Sequence, residues 1–429
     1  MTRRIQTFAL AALTSLTALC ITPAPASAQQ LGNQLNNPSL PVFTPAPTTE
    51  SMPPARTEVP NTDSCPNATF PPPPVDESEA VAPGSPTPSP LPVTYSGPCG
   101  VTAPDNYKVD ESVLASSWLV ADIDSGEVIA MKDPHGRYRP ASIIKVLLAL
   151  VTIDELPLDK KITVSEESAM QEGSAAGIGP GGVYTVNDLL HGLLMVSGND
   201  CAHALAQALG GDEAALRKIN DMAAKLGMKD TRAATYSGLD SAGMSSSAWD
   251  MGLAYRRAYG NDTFTKIIRT REYELPGWGQ YEPYVMANDN KLLAEDPDGI
   301  GGKTGFTDDA GHTFVGALDR NGHRIMAILL DTTVDRGRAW EQGQKLIHEA
   351  YRMPKGTHVA TLSTDTEKSV GADTNADGTT RSDRSRAAGE SGTSWAGIWA
   401  VTGVLLSALA GTVISFATSG RARKSRQQP

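Results

Sequence analysis

The chain has 429 residues and a formal net charge of −11, from 37 basic and 48 acidic side chains. The acid is spread along the chain, which argues against a nucleic-acid partner. Length alone allows two or three domains, but the composition is uneven and leaves room for one folded unit between low-complexity flanks.

Residues 1–28 read as a secretory signal peptide. Arg3 and Arg4 precede an apolar run from Phe8 to Ile21, and Ala26-Ser27-Ala28 supplies small residues for cleavage. Twin-arginine export is the alternative, although Gln6 stands where such signals carry a hydrophobe. Residues 29–104 are rich in Pro, Ser, Thr and Asn, with four consecutive prolines at Pro71–Pro74. Apolar residues are too sparse there for a core, so the segment is expected to be largely disordered, with polyproline II character. Cys65 and Cys99 bracket its proline-rich stretch. Export would allow them to pair and close a loop. Cys201, in an apolar helical stretch, reads as a buried small residue. Neither the four cysteines nor the seven histidines cluster at metal-ligand spacing, so no metal or other cofactor is expected.

The folded domain is placed at 105–355. It opens on a hairpin, Trp118–Ile123 and Glu127–Ala130 around the turn Asp124-Ser125-Gly126. A helix follows from Pro140-Ala141-Ser142 into Val146–Leu150. The middle is helical. Thr185 and Asp188 form a capping box for Val186–Val196. Asp212–Leu226 ends at Gly227, and Ser246–Tyr259 ends at Gly260. Strands return at Thr313–Leu318 and Arg324–Asp331, joined by Asn321-Gly322, before a last helix from about Arg336 to Tyr351. Strands at both ends with helices between predict an α+β domain: an antiparallel sheet closed by the two ends, beside a helical subdomain.

Residues 356–394 form a polar linker. Residues 395–418 contain no charged side chain, and about 24 helical residues span roughly 36 Å, enough to cross a bilayer core. Arg421, Arg423, Lys424 and Arg426 follow, which places the 419–429 tail in the cytoplasm and the domain outside the cell membrane.

Three short motifs lie within the domain. Ser142 and Lys145 are one helical turn apart, so a hydroxyl and an amine share a face. Ser197-Gly198-Asn199 lies between two helices. Lys303-Thr304-Gly305 lies on a glycine-rich strand. A serine hydroxyl is a poor nucleophile until a base takes its proton. Lys145 serves only when neutral, which calls for a fall of roughly 3 pKa units from about 10.4. Burial and a neighbouring cation both act in that direction, and Lys303 is the candidate cation.

In this order, the three motifs resemble those of the penicillin-recognising serine enzymes. Within them the chain is most similar to the low-molecular-weight penicillin-binding proteins, the D-alanyl-D-alanine carboxypeptidases. Leu226-Gly227-Met228, Ser237-Gly238-Leu239, Asn288–Leu293 and Thr307–Gly311 add to the likeness, which covers about 117–351. The resemblance implies a serine β-lactamase/D,D-peptidase-like fold. It also implies an acyl-enzyme on Ser142, formed as the terminal D-alanine leaves a peptidoglycan stem peptide, and inhibition by β-lactams.

The same resemblance implies the residue roles. Lys145 and Ser197 move protons, and Asn199 orients the substrate. Lys303 and Thr304 hold its terminal carboxylate. Gly305 lets it approach the strand, and the N–H groups of Ser142 and Phe306 form the oxyanion hole. A D,D-endopeptidase is the near alternative. A class A β-lactamase would need a glutamate followed four residues on by asparagine; none of Glu213, Glu272, Glu274, Glu282 and Glu295 is. Thr307 could line the site or merely pack, and His191, His203 and His312 read as structural.

Overall fold

The computed structural model describes residues 55–363, apart from Asp76 and Ala82. The signal peptide, most of the polar linker, the apolar stretch 395–418 and the basic tail lie outside the described residues. Among the described residues no helix is long and apolar enough to cross a membrane.

Eleven strands are present among them: β1 (Val101–Thr102), β2 (Ser117–Asp122), β3 (Glu127–Lys132), β4 (Lys161–Thr163), β5 (Val183–Thr185), β6 (Glu272–Leu275), β7 (Tyr284–Ala287), β8 (Gly299–Thr307), β9 (Gly311–Arg320), β10 (His323–Thr332) and β11 (Ala360–Thr361). The helices are α1 (Lys145–Glu155), α2 (Glu166–Ala169), α3 (Val186–Met195), α4 (Asn199–Ala208), α5 (Asp212–Lys225), α6 (Ala248–Tyr259), α7 (Asp262–Ile268), α8 (Lys291–Glu295) and α9 (Ala339–Ala350). The expected α+β fold is the one observed.

The main sheet runs β1-β3-β2-β10-β9-β8, all antiparallel, with β11 also on β3. The pairing of β2 with β10 joins the two ends of the domain. The period-2 alternation of these strands sorts their side chains to two faces. Trp118 and Val120 on β2, with Ile325 and Leu329 on β10, pack with Leu346 and Ile347 of α9. Leu119, Ala121, Met326 and Ile328 face the other way, into the larger core around α1. Asn321 and Gly322 take φ of 56° and 83°, as the tight β9–β10 turn requires.

α1 is buried on every side through Val146–Val151, so it is the axle of the helical subdomain rather than an amphipathic surface helix. The capping box forms as the sequence suggests: Asp188 N–H donates to Thr185 Oγ1 at 3.1 Å, and Thr185 N–H to Asp188 Oδ2 at 2.7 Å.

Two boundaries differ from the sequence reading. The domain does not end at 355: β11 pairs with β3, and Leu362 is fully buried in the main core. Three apolar residues, Val359, Ala360 and Leu362, are too short a run to signal a strand in the sequence.

Nor are residues 56–104 free of structure. They form a strap without regular secondary structure before β1, closed by a Cys65–Cys99 disulfide. Proline has no N–H, so a proline-rich chain offers carbonyls with few donors of its own. The domain supplies those donors. Buried Arg137 donates to Thr69 O, Leu91 O and Pro92 O at 2.9, 2.7 and 2.8 Å. Buried Arg139 donates to Pro72 O at 2.7 Å and pairs with Glu79, and Arg232 donates to Ser89 O at 2.8 Å. Arg56 returns the favour, donating to Leu114 O and Asp331 O of the domain.

Candidate active site

Ser142 lies in a single 3-10 turn, Ala141–Ile144, that leads into α1, and Lys145 is the first residue of the α-helix. The turn is tighter than the regular helix expected and is held from two sides. Thr313 Oγ1 of β9 donates to Pro140 O at 2.8 Å. Tyr255 Oη of α6 donates to Ile143 O at 3.0 Å. Ala141 takes φ +47°, a left-handed conformation costing an alanine about 1–3 kcal/mol unless its surroundings impose it.

Lys145 is wholly buried. Its Nζ lies 2.8 Å from Ser142 Oγ and also donates to the Ser237 carbonyl. Burial pushes its ammonium well below the ordinary lysine range, and the charge of Lys303 adds to the push; Asp289 and Asp200 oppose it. A neutral amine bonded this way gives one proton to Ser237 O and keeps its lone pair for the Ser142 hydroxyl.

Lys303 and Thr304 sit on β8, which among the described residues is an edge strand paired with β9. The Gly299–Gly302 bulge re-aims the strand just before Lys303. Lys303 is fully buried, and its Nζ donates to Thr304 O at 2.8 Å. Burial lowers its ammonium too, opposed by Asp289. Thr304 Oγ1 donates to Asp289 Oδ2 at 2.8 Å. At Gly305 a Cβ would lie 2.9 Å from Ser142 N, so β8 passes against the Ser142 amide and only glycine leaves the gap open. Phe306 follows on β8; its ring is exposed and tilted against His312, with centroids 4.7 Å apart.

Ser197 and Asn199 stand at the α3–α4 junction, both buried. Ser197 takes φ +63° and Gly198 is the N-cap of α4. Asn199 Nδ2 donates to Glu172 O at 2.6 Å, and its N–H donates to Ser174 O at 2.6 Å. Asp289 N–H donates to Met195 O at 2.9 Å, which ties this junction to the chain that enters β8.

Four features escaped the sequence reading. Asp200, fully buried, accepts the N–H groups of Ala176, Gly177 and Ile178 at 2.9, 2.8 and 3.1 Å and so fastens the 172–178 loop beside Asn199. It reads locally as an ordinary first-turn acid. Asp240 accepts Thr307 Oγ1 at 2.8 Å, which makes Thr307 a brace for the β8–β9 turn. The Ser237 carbonyl and Asp289 are the others. Asn288 is structural: its Nδ2 donates to Ile268 O and Thr270 O. His191 stacks on Tyr273 and His203 Nδ1 meets Ser168 Oγ, so neither reaches the motifs. Cys201 is unpaired and buried, and burial pushes its thiol up.

A buried lysine on a serine, a second buried lysine at a strand edge, and a serine–asparagine turn define a serine hydrolase site of the penicillin-recognising type. The family model for D-alanyl-D-alanine carboxypeptidase, peptidase S11, matches residues 103–334. DacB2 of Mycobacterium tuberculosis, a D-alanyl-D-alanine carboxypeptidase, is 39% identical over 252 residues, 58% of this chain and 86% of that one. DacF of Bacillus subtilis, of the same description, is 29% identical over 230 residues, 52% and 59% of the two chains. A solved penicillin-binding protein homologue of M. tuberculosis is 38% identical with a TM-score of 0.56, covering 61% of this chain and 98% of that one. The Streptomyces K15 DD-transpeptidase aligns at 25% identity and a TM-score of 0.53, over 56% and 98%. The chain belongs to the D-alanyl-D-alanine carboxypeptidase family, peptidase S11, and is a hydrolase of the serine carboxypeptidase type.

Proposed function

We propose that this protein removes the terminal D-alanine from peptidoglycan stem peptides through an acyl-enzyme on Ser142, and that β-lactams trap it there. The observation that carries the reading is the 2.8 Å contact between Ser142 Oγ and the Nζ of wholly buried Lys145. Lys145 takes the hydroxyl proton as Oγ attacks the penultimate carbonyl. The negative charge that develops on the carbonyl oxygen is met by the N–H groups of Ser142 and Phe306. Ser197 passes a proton to the leaving amine, and Asn199 orients the peptide. Lys303 and Thr304 hold the far end of the substrate. Water then releases the acyl group and restores Ser142.

The setting of the reaction is also proposed. The 1–28 signal exports the chain, and 395–418 holds it in the cell membrane with the domain outside, facing the wall. The support is the charge-free run followed by four basic residues.

The test is D-alanine release from a pentapeptide ending in D-Ala-D-Ala, with the full chain in detergent, beside Ser142→Ala. Release by the wild type and none by the variant is the expected result. Labelling of wild type alone by a fluorescent penicillin is the companion result. A folded wild type that neither releases D-alanine nor takes the label would overturn the reading.

A further inference from the structure

The proposed mechanism needs two amides, those of Ser142 and Phe306, held at the separation that one oxyanion requires. They come from segments far apart in the chain. One joint between the segments is the hydrogen bond from Thr313 Oγ1 to Pro140 O. The strap makes a second.

Arg139 stands three residues before Ser142, and Asp309 three residues after Phe306. Val75 N–H donates to Asp309 Oδ1 and the Ser78 hydroxyl to Asp309 Oδ2, both at 2.5 Å. Glu79, the next residue of the strap, pairs with Arg139 at 2.5 Å, and Arg139 also donates to Pro72 O at 2.7 Å. The stretch from Pro72 to Glu79 therefore grips both segments at once. Asp240 fills the corner between them. It accepts Thr307 Oγ1 at 2.8 Å and Asp309 N–H at 3.4 Å, and the charge of Arg139 is felt there.

The grip on Arg139 is not a loose surface contact. Among the described residues its buried guanidinium hydrogen-bonds to the strap alone, and a buried charge must be met by protein acceptors. A catalytic group misplaced by about 1 Å can cost about a hundredfold in rate, so a tie that sets the separation is felt in kcat.

Resting on the carboxypeptidase reading, we propose that the strap is a working part of the active site. Glu79 and Asp309 are positioning residues: through Arg139 and the β8–β9 turn they hold the Ser142 and Phe306 amides at oxyanion spacing.

The experiment uses the full chain in detergent, with Asp309→Ala, Asp309→Asn and Glu79→Ala beside the wild type. D-alanine release gives kcat and KM. A peptide boronic acid, whose tetrahedral adduct on Ser142 carries an oxygen for the two amides, gives a second readout. In both alanine variants kcat should fall at least tenfold with KM within about twofold, and boronate affinity should fall in step. Asp309→Asn keeps one acceptor and should recover part of both. Should Asp309→Ala not fold, Val75→Pro with Ser78→Ala decides, since it removes both strap donors and leaves Asp309 in place. A lowered melting temperature with kcat and boronate affinity unchanged overturns the inference and leaves the carboxypeptidase reading intact. So does a rise in KM alone, which would make the strap a substrate contact. If the wild type releases no D-alanine, the carboxypeptidase reading falls and this one with it.

Discussion

A Cβ on Gly238 would lie 2.1 Å from the carbonyl oxygen of Ala141, the residue before Ser142. Gly238 has φ +87° and Ala141 φ +47°, so two left-handed residues face each other across the turn that presents Ser142. Gly238→Ala should therefore move the turn. The left-handed backbone alone costs a non-glycine residue about 1 kcal/mol, and the clash adds to it. We expect at least a tenfold slower acylation by a fluorescent penicillin, with a thermal midpoint lowered by several degrees. Wild-type acylation rates would show that the turn yields without moving Oγ.

The two buried lysines make the pH dependence specific. Lys145 works as a base only when deprotonated, and its folded value lies well below the ordinary 10.5. Activity should rise through that lowered value as pH increases, not near 10. Because Lys303 contributes to the lowering, Lys303→Gln should move the acidic limb of the kcat profile to higher pH. An acidic limb left in place would remove Lys303 from this role. The stability consequence has the same sign. The unfolded chain binds the Lys145 proton more tightly, so this group's contribution to stability rises with pH between its lowered value and about 10.4.

Asp200 is a buried carboxylate whose neutralisation comes from backbone N–H groups 22 to 24 residues away in sequence. Asp200→Ala leaves the N–H groups of Ala176 and Ile178 buried without an acceptor, and charged hydrogen bonds of this kind are worth about 1.5–3 kcal/mol each in net terms. The expected outcome is a lower denaturant midpoint and faster proteolysis within 172–182. Deacylation and turnover should fall as well, since the same loop holds Asn199 through Glu172 O and Ser174 O. Unchanged proteolysis would mean that the loop is held by other means.

The strap predicts a redox and a charge effect together. The Cys65–Cys99 bond closes a loop with a sequence separation of 34, for which chain-entropy arguments give about 3–4 kcal/mol. Reduction, or the double substitution Cys65→Ser and Cys99→Ser, should lower the melting temperature and expose 66–98 to protease. Arg137→Ala should do the same with the disulfide intact, because three carbonyls and Asp230 lose the buried guanidinium that faces them. Protection of the strap in Arg137→Ala would assign its docking to the disulfide together with Arg56, Arg139 and Arg232.

Much of this protein is readable from its sequence, and for local reasons. The β2–β3 hairpin, the Asn321-Gly322 turn, the Thr185–Asp188 box and α5 before Gly227 are set by residues within a few positions of one another. The three sequence motifs are equally local, since each is a spacing on one helix, turn or strand. What only the tertiary structure decided is what reaches across the chain. Lys145 finds the Ser237 carbonyl across 92 residues, Arg139 finds Pro72 O across 67, and Leu362 enters the core from a polar tail. Asp289 becomes an acceptor inside the site because β8 brings Thr304 to it. Proline carbonyls and single buried carboxylates carry no periodicity. Their role depends on which donor the fold places opposite them, and that is settled when the two ends of the domain close into one sheet.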